Sequence, residues 1–235
     1  MNTATPMPEE TGNLSPVALE QRGVNADQRM FSPSAARNSA SILAVLKRVL
    51  PTRGVVLEIG CGTGEHAVCF AEAMPGLTWQ PSDADSDARA STASWIKLMG
   101  LNNALLPIDI DVCSRSWGVE QTGPFDAIVS INMVHIAPWA ASLGLFAGAG
   151  RLLRAGGFLF LYGPFLRDGV HNAPSNAAFD ASLKARNPSS GLRDIIDLER
   201  VAERYRLSLR ETIDMPNNNT SAVFSKGGGR TIVPF

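Results

Sequence analysis

Cysteine is scarce in this 235-residue sequence. Cys61, Cys69 and Cys113 are an odd number without paired spacing, which argues against a disulfide framework and leads us to expect a reducing, cytoplasmic setting. Histidine is as sparse: His66, His135 and His171 stand far apart without ligand spacing, so no metal site is expected. Neither charge dominates. The 21 Lys and Arg face 22 Asp and Glu, for a net charge of −1, whereas nucleic-acid binders usually carry a basic excess on one face; a nucleic-acid partner is not expected. The late basic residues, such as Lys184, Arg186, Arg193 and Arg200, are interleaved with Asp194, Asp197 and Glu199 and read as a solvated helix face. No apolar run approaches the ~18 residues of a membrane span, so no membrane partner is expected. The opening residues are polar, with Pro6 and Pro8, and lack the basic start and apolar stretch of a secretory signal.

What is present is a 45% hydrophobic, 18% charged chain, long enough for one α/β domain with a substantial core. Residues 1–29 are rich in Pro, Asn, Glu and Ala and read as a flexible arm; residues 30–235 form the expected domain. Within 30–50, Ser34 can cap a helix striped by Ile42, Leu43, Val45, Leu46, Val49 and Leu50, and Pro51 stops it. Short apolar strand patterns at 55–59, 77–80, 104–110, 125–131 and 158–162 then alternate with helical patterns that end at Pro75-Gly76, Gly100 and Gly156-Gly157. Two further strands follow near 207–212 and 222–225. This alternation predicts a Rossmann-like, doubly wound, mostly parallel sheet of seven strands in one domain. Residues 163–190 break the rhythm with Pro164, Pro174 and Pro188. A loop that long inside a compact domain usually carries function, and here it is read, with the 30–50 helix, as a lid over the site.

The strongest motif is Glu58-x-Gly60-x-Gly62-x-Gly64, directly after a strand and before a helix. Glycines there permit positive φ and let a ligand approach the backbone, beside the free N–H groups of a helix start. A tight strand–helix turn is the plain alternative. A dinucleotide site wants Gly-x-Gly-x-x-Gly, and here the third glycine comes one residue early. Asp83 ends the second strand pattern, where a carboxylate can accept ribose hydroxyls; Asp85 is its competitor, although acids at a helix start also complement the dipole.

The shortened glycine motif, preceded by its acid, resembles the first motif of class I S-adenosylmethionine-dependent methyltransferases. Residues 125–129 resemble that family's fourth strand, and Leu152-Leu153-Arg154-Ala155-Gly156-Gly157 its turn before strand five. Further stretches, among them Arg37-Asn38, His66-Ala67, Trp79-Gln80-Pro81-Ser82-Asp83, Tyr162-Gly163-Pro164-Phe165, Pro174-Ser175-Asn176 and Arg193-Asp194, are similar to a narrower group of bacterial and animal methyltransferase-like proteins, largely of unassigned function. That group more often has Ala-Ser in place of Gly60-Cys61, and His-Thr-Ser-Pro in place of His171-Asn172-Ala173-Pro174. The resemblance implies the class I methyltransferase fold with S-adenosyl-L-methionine as cofactor. It implies that Glu58, Gly60, Gly62 and Gly64 form the cofactor loop. It further implies an acid after the third strand for the adenine amino group, with the next N–H on a ring nitrogen; Asp111 with Val112 is favoured, and Asp109 competes.

Ligands of such sheets bind beyond the carboxyl ends of the strands. There His135 is a candidate general base, since a near-neutral pKa suits the task, or else a structural histidine bonded to backbone. Asn132 is placed to orient substrate or the cofactor's amino-acid part, and Tyr162 to offer a hydroxyl or a π face to a sulfonium, or simply to pack. Arg37 is read as a clamp on a carboxylate and His66 as a cofactor contact. Asn172, Asn176, Asn218 and Asn219 read as pocket lining or as turn formers. The expected activity is methyl transfer to a small-molecule acceptor. The alternatives are internal cyclisation of the same cofactor, releasing methylthioadenosine, and a non-catalytic binding module.

Overall fold

Successive side chains of a strand point to opposite faces, and the three central strands of this protein are apolar on both. The structure, a computed structural model, describes residues 23–227. The six strands of the main sheet are β1 (Gly54–Ile59), β2 (Leu77–Ser82), β3 (Phe125–Ile131), β4 (Leu153–Gly163), β5 (Leu207–Met215) and β6 (Asn219–Lys226). They lie in the order β2-β1-β3-β4-β6-β5. The first four are parallel; β6 runs antiparallel to both β4 and β5. The helices are α1 (Pro33–Val49), α2 (Glu65–Ala73), α3 (Ser86–Met99), α4 (Met133–Ile136), α5 (Trp139–Leu152), α6 (Pro174–Arg186) and α7 (Ile195–Arg204).

Leu57, Ile128 and Leu161 enter a core shared with Leu145 and Phe146 of α5 and Leu198 of α7. Their chain neighbours Val56, Val129 and Phe160 enter the opposite core, with Ile42 and Leu46 of α1, Phe70 of α2 and Ile96 of α3. A sheet buried on both faces is the doubly wound arrangement. It brings the carboxyl ends of β1, β2, β3 and β4 to one edge.

The main sheet has six strands among the described residues, not the expected seven. Residues 104–110 contribute only two isolated parallel bridges, Trp79↔Ala104 and Ser82↔Ile108. The cause is a missing donor. Trp79 exchanges both its backbone bonds with Asn103 and Leu105, and Asp83 and Pro81 both bond Ile108. Pro81, between them, has no N–H to offer, so the ladder lapses. The Gln80 side chain fills the gap by donating to the Leu106 carbonyl at 2.9 Å.

Two further expectations are corrected. Ser32, not Ser34, caps α1: Ser32 Oγ accepts from the Ala35 N–H, with Pro33 at the first helical position. Residues 163–190 are not loop throughout. They hold a two-residue hairpin, Leu166–Arg167 with Val170–His171, and then helix α6, for which Pro174 is the start and not a breaker. The expected arm, 1–29, is described only from residue 23. Gly23–Val24 pairs with Met30–Phe31 across a turn, and the rest of the arm lies outside the described residues. No helix among the described residues is long and apolar enough to cross a membrane.

Candidate functional site

The chain leaving β1 turns through three glycines in the left-handed region, Gly60 (φ 75°), Gly62 (φ 56°) and Gly64 (φ 87°), where L side chains are strained. The Gly60 and Cys61 N–H groups both donate to the Ser82 carbonyl at 2.9 Å, which ties the loop to the end of β2. The Gly62 N–H donates to Asp83 Oδ2 at 2.9 Å, while Asp83 Oδ1 accepts from the Asp85 N–H at 3.0 Å. Asp83 is therefore part of the loop's scaffold. Asp85 is the cap of α3, accepting from the Asp87 N–H at 2.9 Å.

The third glycine has a different task. A Cβ on Gly64 would lie 2.6 Å from Thr92 Cα, so its role is the close approach of α2 to α3. Glu58 is also set back. It is 1% exposed, accepts from Trp79 Nε1 at 2.7 Å, and burial raises its carboxyl to about 7, the Asp83 carboxylate adding to the effect.

A cavity of about 480 Å³ opens at the carboxyl edge, between the glycine loop, α1, the ends of β3 and β4, the start of α6 and the β5–β6 turn. Of the residues singled out by sequence, Arg37, Gly60, Gly62, His66, Asn132 and Tyr162 line it, whereas Glu58, Gly64, Asp83, Asp111, Val112 and His135 do not. Asp111 is exposed, and its Oδ1 accepts from the Cys113 N–H at 2.9 Å, an Asx turn. Val112 is buried, with its carbonyl toward Trp117 Nε1 at 3.4 Å. Asp109 faces Arg89 at 3.4 Å, and Arg89 also donates to the carbonyls of Asp83 and Ala84. Arg89, which pins these two loops together, was not singled out by any motif.

Asn38 is the principal residue missed. It is 8% exposed, lies one residue after Arg37, and holds His66 Nε2 to its Oδ1 at 2.7 Å. Its amide also faces the Tyr162 hydroxyl, partly offsetting the effect of burial there. One amide thus joins α1, α2 and β4 in the cavity wall. The dipeptide Arg37-Asn38 was a signal, but periodicity assigned α1 only an apolar face. Burial lowers His66 to about 4 and raises the Tyr162 hydroxyl, so both are neutral near pH 7.

His135 is not the near-neutral imidazole that a base would require. It has no exposed surface, stacks edge-on against Phe165 at 4.6 Å, and neither ring nitrogen has a hydrogen-bond partner among the described residues. Burial, with Arg193 nearby, lowers it to about 3. The adjoining backbone is held from outside. Arg193 donates to the carbonyls of Val134 and Ala137, Ser190 Oγ to that of Ile136, and the Gly191 N–H to that of His135. These bonds satisfy the C-terminal carbonyls of α4, a need of every helix end. They also hold Asn132, whose N–H donates to the Tyr162 carbonyl at 2.8 Å and whose φ is 59°.

A buried, neutral histidine has a pH signature. The folded pKa of His135 is depressed relative to an unfolded value near 6.5. Its contribution is fully present above about pH 6.5 and is lost as pH falls toward 3, at about 1.4 kcal/mol per pH unit. Urea denaturation between about pH 4 and 7 should therefore be steeper in pH for the wild type than for His135→Leu. Parallel pH curves would mean that the histidine protonates in place.

The roof of the cavity comes from the lid region. Asn176 is 5% exposed and donates through Nδ2 to Asn172 Oδ1 and to the Asn218 carbonyl. Asn217 and Asn218 sit at φ 58° in the β5–β6 turn, a conformation that asparagine tolerates. Asp180 anchors α6, bonding His171, Lys184 and the Leu192 N–H, and those contacts hold its carboxyl below the usual range.

The architecture is similar to that of solved methyltransferases. An O-methyltransferase family protein from Burkholderia thailandensis superimposes with a TM-score of 0.70 at 16% identity, over 84% of this chain and 58% of that one. A mitomycin 7-O-methyltransferase gives 0.69 at 11% identity, over 83% and 54%. A methyltransferase of calicheamicin biosynthesis, in its S-adenosylhomocysteine-bound form, gives 0.65 at 17%, over 81% and 54%. This chain spans less than two thirds of the length of each of these proteins. At such identities the likeness establishes the class I methyltransferase fold. The family model described as "Protein of unknown function (DUF938)" matches residues 29–226, and the chain belongs to that family.

Proposed function

We propose that the protein binds S-adenosyl-L-methionine along the loop 58–64 and transfers its methyl group to a small-molecule acceptor held in the adjoining cavity. The observation that carries this reading is the loop itself: glycines at positive φ, at the carboxyl edge of a parallel sheet, opening onto a cavity of about 480 Å³. Gly60 and Gly62 leave the backbone bare where a ligand would lie. Asp83 is assigned the ribose; each of its oxygens has lone-pair capacity beyond the one backbone bond it accepts. Asp111 and Val112 are assigned the adenine. Arg37 and His66, which both line the cavity, are assigned the methionine end.

The bound cofactor supplies a methyl group made electrophilic by its sulfonium. What the protein must add is alignment and exclusion of water. Asn132 and Tyr162, which line the cavity from the ends of β3 and β4, are assigned the orientation of the acceptor, and His135 the support of Asn132 from behind. Calorimetry tests this: S-adenosylmethionine and S-adenosylhomocysteine should bind in the micromolar range and NAD far more weakly. Tight NAD binding with no response to either sulfur cofactor would end this reading. With an acceptor present the product should be S-adenosylhomocysteine, not methylthioadenosine.

We assign α1 and residues 163–190 the role of a lid, since they bring Arg37 and Asn176 to the same cavity. Closure of this kind commits a substrate and sheds water. Amide hydrogen exchange of both segments should slow on adding S-adenosylhomocysteine. Identical exchange with and without it would leave an open cleft instead.

A further inference from the structure

Two asparagines of the cavity roof, Asn176 and Asn219, have already spent their donors. An asparagine amide carries two N–H donors and one carbonyl acceptor. Asn176 uses both donors, to Asn172 Oδ1 at 2.5 Å and the Asn218 carbonyl at 2.8 Å. Asn219 also uses both, to the carbonyls of Pro216 at 3.2 Å and Asn217 at 3.4 Å. A backbone carbonyl only accepts, so each network fixes which end of the amide is nitrogen. The group each side chain has left for a ligand is its Oδ1. On the opposite wall His66 also presents an acceptor. His66 Nε2 meets an amide oxygen, Asn38 Oδ1, and so carries the ring proton; its Nδ1 is then a bare lone pair. Among the described residues no Asp or Glu lines the cavity, and Arg37 is its charged lining side chain.

Given the methyl-transfer reading above, on which this rests, we infer that the acceptor is a small uncharged amine whose N–H groups are received by Oδ1 of Asn176 and Asn219. Neutral carbonyl oxygens accept N–H bonds without the charge that a carboxylate would offer an ammonium. An ammonium would also meet the sulfonium, a charge of its own sign. An alcohol could donate to the same oxygens, but it must lose its proton on attack; His135 has no exposed surface, and burial lowers His66, the imidazole that does line the cavity, to about 4, a weak proton acceptor. A neutral amine needs no such help. Its lone pair forms the N–C bond as the C–S bond breaks, with that bond's electron pair passing to sulfur. The nitrogen, now cationic, releases its proton to water.

The test uses the full chain saturated with S-adenosylhomocysteine and three probes of matched shape: benzylamine, benzyl alcohol and benzoate. Binding is read by calorimetry and saturation-transfer NMR, without turnover. Benzylamine should bind at least fivefold more tightly than the other two, about the effect of one hydrogen bond. Its affinity should rise with pH toward its own pKa, and with aniline, a weaker base, the rise should move to lower pH. Asn176→Ala and Asn219→Ala should each weaken benzylamine about fivefold, measured with each variant saturated with S-adenosylhomocysteine. The two residues stand on different elements, so a variant that fails to fold leaves the other to carry the test. Equal or tighter binding of the alcohol or the carboxylate, a pH midpoint common to both amines, or unchanged benzylamine binding in the folded variants would overturn the amine assignment. Failure of S-adenosylhomocysteine itself to bind would overturn the reading beneath it, so the two failures are distinguishable.

Discussion

Gly64→Ala should lose about 2–5 kcal/mol of stability, although the change is a single methyl group. Two costs combine. At φ 87° a non-glycine residue is strained by about 1–2 kcal/mol. The new Cβ would also lie 2.6 Å from Thr92 Cα. That atom is backbone, so α2 and α3 must separate, and overpacking of this kind costs about 1–3 kcal/mol. At roughly 2–4 °C per kcal/mol for a domain of this size, the melting temperature should fall by roughly 5–20 °C. Gly156→Ala is the control: its φ is 75°, but the added Cβ meets nothing within 4 Å, so it carries strain alone. Equal melting temperatures for the two variants would show that contact with α3 is not what demands a glycine at 64.

Asp83→Ala should reduce affinity for S-adenosylmethionine at least tenfold and leave a folded protein. The carboxylate is assigned two ribose hydroxyls, and charge-assisted bonds are worth about 1.5–3 kcal/mol each; about 1.4 kcal/mol already corresponds to tenfold. A second loss adds to the first, because the Gly62 N–H gives up its acceptor and the glycine loop loses a tether to β2. Asp85→Ala should behave oppositely. It removes the cap of α3, costing about 1 kcal/mol of stability, with cofactor affinity unchanged. Calorimetry and thermal melts on both variants separate the roles. If Asp85→Ala weakened binding and Asp83→Ala did not, the ribose contact would belong to Asp85.

Much of this was legible in the chain because it rests on local rules. Strands buried on both faces read as continuous apolar runs, and β1 and β3 did. Helices ending at Gly100 or before Pro51 obeyed ordinary stop signals. Of the seven residues assigned to the pocket at the chain ends of β1, β3 and β4, Gly60, Gly62, Asn132 and Tyr162 line the cavity, and Glu58, Gly64 and His135 do not. Helix α6 was missed for a physical reason. Its buried positions are Asn176, Asp180 and Leu183, so the face turned inward is largely polar, and a search for hydrophobic periodicity finds nothing to count. The expected third strand erred the other way. Its apolar residues were counted, but the proline in its neighbour, Pro81, was not.

The sequence alone determined the alternation of elements, the doubly wound class and the glycine loop after β1, because each follows from residues close together in the chain. Only the tertiary structure decided what those residues do. It made Gly64 a packing glycine through Thr92, and it left His135 walled in by Phe165 and the α4 backbone. It joined Asn38, His66 and Tyr162 into one wall, and it spent the N–H groups of Asn176 and Asn219 on Asn172 Oδ1 and on carbonyls of the β5–β6 turn. Burial and hydrogen-bond partnership are set by segments distant in sequence. The type of a residue states which bonds it is able to make, and its neighbours in space decide which of them remain for a ligand.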